Sequence, residues 1–179
     1  MTTSETSAIQ HSGATASEWT PPTARERLAI IQSTRSVALY GASANPARPS
    51  YFVATYLVSS STDFDVYFVN PGADEILGHK VYPSLEALPV TVDLVDVFRK
   101  NEDLPGVAEE VIAHGAKTMW IQLGLFNLEA AQIAHDAGLE VVMNRCLKIE
   151  HARFHGGLHL SGFDTGVINS TRRGAFARS

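Results

Sequence analysis

The chain has 179 residues and 19.4 kDa, with 45% hydrophobic and 18% charged residues, enough for one respectable core and an expected single domain with tails. Fourteen Lys and Arg against nineteen Asp and Glu leave a net charge of −5, which speaks against a surface built to neutralise nucleic-acid phosphates. The single cysteine, Cys146, excludes an internal disulfide and a Cys-rich zinc cluster, and no stretch approaches the roughly 18 uninterrupted apolar residues of a membrane helix, so the expected setting is cytoplasmic.

Residues 1–22 carry nine Ser and Thr and no Lys or Arg, the composition of a disordered leader rather than a secretory signal. Thr23-Ala-Arg-Glu26 is a capping box and predicts a helix over about 24–34. The apolar run Ser36–Tyr40 predicts a strand buried on both faces, ending at Gly41. A loop of small residues follows to Ser50, and helical spacing resumes over 51–59. Further strands are expected at 65–69, 93–98, 117–123 and 140–143, with helices over 103–114 and 127–137 closed by Gly115 and Gly138. Between the second and third strands, 72–89 reads as a decorated crossover: a turn at 78–80, a short Val81-Tyr82 strand and a small helix opened by Ser84. The alternation predicts an α/β fold of Rossmann-like, doubly wound type, with a mainly parallel five-stranded sheet and flanking helices. The domain is bounded at 23–154. A tail, 155–179, has five glycines from Gly156 onward and no amphipathic period; its apolar residues suggest cover for a patch on the body or on a second copy, hence a homo-oligomer.

Ligands of open α/β sheets sit outside the carboxyl ends of the strands. Here those ends are Gly41-Ala42-Ser43, Asn70-Pro71-Gly72, Arg99-Lys100 and Gln122-Leu123-Gly124, and the helix beginning near Ser50 would turn free amides toward a pyrophosphate. An NAD(H) redox sensor or enzyme is one reading. Against it, Ser43 and Pro46 stand where the later glycines of the dinucleotide fingerprint belong, and Asn70 stands where an acid would hold the ribose hydroxyls.

Five segments in order, Ser36 to Ser50, Val69-Asn70-Pro71, Val95-Asp96-Val97-Phe98-Arg99, Trp120 to Gly124 and Met143 to Glu150, resemble the small bacterial CoA-binding proteins, which are similar to the CoA-binding domain of the succinyl-CoA ligase alpha subunit. The resemblance implies that coenzyme A or an acyl-CoA is held by a stand-alone regulatory, carrier or accessory module without a complete catalytic site. It places Gly41, Ala42, Ser43 and Ala44 against the CoA phosphates, with Asn45 and Pro46 completing the turn. It sets Asn70 and Pro71 beside the adenosine, Val97 and Phe98 in the wall, and Gln122, Leu123 and Gly124 along the pantetheine arm. A ligase subunit completed by another chain is a further reading, because the ligase's phosphohistidine domain has no counterpart here.

Arg48, between Pro46 and Pro49, reads either as a bidentate phosphate grip or as a solvated loop residue, and Arg99 carries the same two readings. Gly41→Val or Ser43→Glu is expected to exclude the phosphates with little loss of fold. Cys146, just past the last strand and flanked by Arg145 and Lys148, reads as a buried packing residue or as a reactive thiol. His151, His155 and His159 share a four-residue spacing, but Gly156 and Gly157 interrupt the helix a metal site would need, so no metal is expected. His114 and His135 read as cations favouring helix C-termini.

Overall fold

A computed structural model of the chain describes residues 17–59 and 62–155. The elements run α1 (Ala24–Ser33), β1 (Ser36–Tyr40), α2 (Pro49–Leu57), β2 (Asp65–Val69), β3 (Glu75–Ile76), β4 (His79–Tyr82) and β5 (Leu94–Val97). A 3-10 turn at Asn101–Asp103 then leads into α3 (Leu104–His114), β6 (Thr118–Ile121), α4 (Leu128–Asp136), β7 (Glu140–Met143) and α5 (Leu147–His155). Seven strands lie in the order β3-β4-β2-β1-β5-β6-β7, all parallel except the β3–β4 hairpin. The α/β class is therefore as expected from sequence, with two strands more than the five anticipated. The Val81-Tyr82 segment extends back to His79 and pairs with β2, and its hairpin partner Glu75–Ile76 is too short to carry a pattern. The small helix expected at Ser84 is instead a turn, in which the Ser84 hydroxyl accepts from the Ala87 amide and Leu88 N–H donates to the Leu85 carbonyl.

The central strands are largely apolar on both faces, Asp96 of β5 excepted, because helices cover both. Val95, Val97, Met119 and Ile121 look toward α3 and α4, joined there by Val107, Val111, Ala130 and Ala134. Leu39, Leu94, Trp120 and Val142 look toward the other layer, with Ile30, Ile31, Val53 and Leu57 of α1 and α2 and Leu147 of α5. The capping box forms as read: the Glu26 amide donates to Thr23 Oγ1 and the Thr23 amide to Glu26 Oε2. Gly115 ends α3 at φ +83°, donating to the carbonyls of Val111 and Ile112. His114 departs from its expected role, since its ring Nε2 accepts the Val92 amide at 3.1 Å and burial lowers its pKa; it serves as a neutral acceptor rather than as a cation at the helix end.

The segment 17–22, assigned to the leader by composition, packs on the body. Trp19 is 8% exposed; its amide donates to Gln132 Oε1 and its indole Nε1 to the carbonyl of Val141 on β7, the edge strand. A tryptophan with a satisfied N–H over an edge strand anchors a segment whose neighbours are too polar to do so. The rest of the leader, 1–16, and the tail from 156 onward, including His159, lie outside the described residues.

α5 is joined to the body mainly by polar groups. Glu150 and Arg27, each nearly enclosed, form an ion pair at 2.8 Å that ties α5 to α1. His151 is 3% exposed; its Nδ1 and the Tyr56 hydroxyl share a hydrogen bond at 2.8 Å, its ring meets Phe64 edge-on, and it stacks on His155 at 3.9 Å. Burial, assisted by the neighbouring His155 and opposed by Asp63, lowers the His151 pKa to about 4. The folded value lies below that of an unfolded histidine, so the stability tied to the neutral ring is complete above about pH 6.5 and is lost as pH falls toward 4. Urea unfolding is expected to show about 1–2 kcal/mol of this loss, allowing for solvent screening, and His151→Phe should remove that component. An unchanged pH dependence in the variant would assign it to other groups.

Candidate functional site

The carboxyl ends of six strands, β4 to β7 across the sheet, are bound into one row by five backbone bonds just past the ladders. Asn70 N–H donates to Tyr82 O, Gly41 N–H to Val69 O, Phe98 N–H to Tyr40 O, Gln122 N–H to Val97 O and Arg145 N–H to Ile121 O, at 2.8 to 3.4 Å. This row brings the four strand-end groups anticipated from sequence onto one edge, and adds Asn144-Arg145 as a fifth. Because β1 sits between β2 and β5 and its helix crosses to the opposite layer from α3, the row contains the switch point where a ligand crevice opens.

The first loop leaves β1 at Gly41 with φ +84°; a Cβ there would lie 2.9 Å from the Phe98 carbonyl oxygen and 3.1 Å from Arg99 Cδ. Ala42 is fully buried. Ser43 N–H donates to the Ser50 hydroxyl, Asn45 N–H to the Ser43 hydroxyl and Ala47 N–H to the Asn45 side chain, so the loop is held by its own small polar residues. α2 then opens with Pro49 in its first turn and with Arg48 at the N-cap, where no side chain accepts from the helix amides. Among the described residues the Ala44 and Ser50 amides have no acceptor, and the Arg48 guanidinium has no carboxylate partner. An uncapped helix N-terminus, an unpaired guanidinium and a glycine turn together form a place suited to a phosphate or pyrophosphate.

Several anticipated site residues face inward. Asn70 spends both ends of its amide on backbone, Nδ2 donating to the Ala42 carbonyl and Oδ1 accepting from Gly72, so it clamps the first loop to the end of β2. Pro71 beside it is exposed. Val97 is fully buried in the core facing α3 and contributes no surface, because β5 turns it away from the crevice; Phe98, next along the chain, is half-buried and packs toward the other layer. Arg99 is exposed and paired with Asp103 at 3.0 Å. Gln122 is 4% exposed and its Nε2 lies 2.8 Å from both oxygens of Asp96. Its carbonyl accepts from Leu125 N–H, holding the turn that presents Leu123, 59% exposed, and Gly124, whose N–H donates to Asn144 Oδ1. Asn45, Pro46 and Ala44 are exposed in the first loop.

Asp96 is the group sequence reasoning passed over. It has no exposed surface, and burial holds its carboxyl well above the usual carboxylate range despite the opposing bond from Gln122. The legible signal was one acid inside the otherwise apolar run Leu94-Val95-Asp96-Val97-Phe98. Cys146 is half-buried and burial pushes its thiol pKa up, with Asp96 adding to the rise and Lys148 opposing it. That environment suits packing rather than a nucleophile. His151 and His155 stack on each other, and among the described residues no three potential metal ligands gather. No described helix is long and apolar enough to cross a membrane.

A family model described as a CoA binding domain matches residues 35–152. The chain is 38% identical over 131 residues to YneT of Bacillus subtilis, a match covering 73% of this chain and 96% of that protein. It is 32% identical over 136 residues to an ADP-forming acetate–CoA ligase of Archaeoglobus fulgidus, a match covering 76% of this chain but 19% of the ligase. Among solved structures, a hypothetical protein from Pyrococcus horikoshii is similar with a TM-score of 0.69 and 38% identity, over 76% of this chain and 97% of that one.

Proposed function

The chain belongs to the CoA binding domain family, and from that membership we propose that it binds coenzyme A, free or acylated, across the ends of β2, β1, β5 and β6. The observation that carries the reading is the uncapped start of α2 beside the Gly41 turn, with the Ala44 and Ser50 amides and Arg48 unpaired. A pyrophosphate seated there would gain backbone donors, the positive end of the helix and a guanidinium without displacing an existing bond. The adenosine would lie by Pro71 and the exposed face of the Asn70–Gly72 turn, and the pantetheine arm would run past Phe98 toward Leu123 and Gly124. In this reading Asn70, Val97 and Gln122 shape the site from behind rather than touch the ligand.

The role we propose is that of a regulatory, carrier or accessory module, cytoplasmic and homo-oligomeric. Because the match takes in 19% of the archaeal ligase, binding is carried over and ligation is not. An NAD(H) enzyme is disfavoured by Asn70, whose amide is already engaged with Ala42 and Gly72 where a ribose would need an acidic acceptor. Native mass spectrometry of freshly purified protein tests the proposal: a retained mass equal to CoA or an acyl-CoA is the expected result. Retained NAD, with no uptake of added CoA, would refute it.

A further inference from the structure

A cavity of about 280 Å³ opens beyond the ends of β6 and β7, next to Leu123 and outside the phosphate loop. One wall is Trp19, Pro21 and Pro22, with Trp19 fixed through its amide and its indole; Leu123, Phe126 and Met143 add apolar surface, and Asn144 a polar side chain. Two arginines reach it. Arg27 is committed, its Nε to Glu150 and its Nη1 to the Pro22 carbonyl. Arg145 is exposed, and among the described residues its guanidinium has neither an ion-pair nor a hydrogen-bond partner.

We infer that this cavity receives the acyl group of an acyl-CoA and favours acyl chains that end in a carboxylate. The inference rests on the CoA reading, which brings the pantetheine arm to Leu123 and Gly124, the first of which lines the cavity. An acyl chain continuing from the arm would bury its methylenes against Trp19, Leu123 and Phe126. Its far end would meet the one guanidinium there without a counter-charge, and a carboxylate matches that fork in shape and in charge.

Calorimetric titration of the full chain with CoA, valeryl-CoA and glutaryl-CoA tests this, since the two acyl chains have equal length and differ at the terminus alone. Glutaryl-CoA is expected to bind about tenfold tighter than valeryl-CoA, the effect of one charge-assisted hydrogen-bonded pair. In Arg145→Gln that preference should vanish while CoA itself binds as before. Equal binding of the two acyl-CoAs by the native chain, or a preference that persists in the variant, would overturn the inference and leave CoA binding intact. Equal weakening of all three ligands in the variant would also overturn it, placing Arg145 on the CoA body. Failure of all three to bind the native chain would remove the CoA reading and this inference with it.

Discussion

Gly41→Val is expected to lower the unfolding free energy by about 3 kcal/mol and to abolish ligand binding as a consequence of the damaged fold. Two costs combine. The residue holds φ +84°, a region in which a β-branched side chain is strained by about 1–2 kcal/mol. In addition its Cβ would stand 2.9 Å from the Phe98 carbonyl oxygen, a backbone atom that the neighbouring strand holds in place through the Phe98 N–H to Tyr40 O bond. This differs from the expectation that a valine here would spare the fold, because sequence shows the need for a turn but not what the turn presses against. Urea denaturation followed by circular dichroism measures it; a loss below about 1 kcal/mol would mean that the strand end yields more readily than the geometry indicates.

Ser43→Glu is expected to keep the fold and to weaken CoA binding by about a hundredfold or more. A carboxylate roughly 4 Å from a phosphate at an effective dielectric of about 20 is opposed by about 4 kcal/mol, well beyond the 2.7 that a hundredfold requires. Stability should hold because Ser43 is only partly buried, and the bond lost from its hydroxyl to the Asn45 amide lies in an exposed loop. The new carboxylate can moreover reach the uncapped amides of α2, occupying the position proposed for the ligand. Calorimetry and a thermal melt on the same sample separate the two effects. Normal CoA affinity in a folded variant would place the phosphates elsewhere.

The pattern of the sheet was legible because its strands are short apolar runs bounded by glycine or by helix-start signals, and Ser36–Tyr40, Asp65–Val69 and Glu140–Met143 fall where the sequence indicates. α5 was not legible as a helix. Its buried residues are Leu147, Glu150 and His151, so its inward face is largely polar and yields no apolar stripe; the partners that make this tolerable, Arg27 and Tyr56, lie about a hundred residues away. Trp19 escaped notice for a related reason, being one large residue in a Ser- and Thr-rich stretch.

At the candidate site, chain order and strand-end logic were enough to gather the right loops, since parallel strands deliver every crossover to the same edge. Side-chain direction was not. Val97 and Phe98 are adjacent, yet strand alternation turns one into the core and leaves the other half-buried on the opposite layer. Asn70 and Gln122 look like ligand contacts by composition, but each meets a nearer protein partner first, Ala42 and Asp96 respectively. Those bonds depend on register between strands, which the sequence of a single strand does not encode.

Calorimetric titration of ligand-free protein with CoA and, in parallel, with NAD distinguishes a CoA-binding chain from a dinucleotide enzyme. Saturable one-site binding of CoA is expected, at least about tenfold tighter than that of NAD, with the CoA signal lost in Ser43→Glu. NAD binding as tight as CoA, or no CoA heat at millimolar ligand, would contradict the CoA reading.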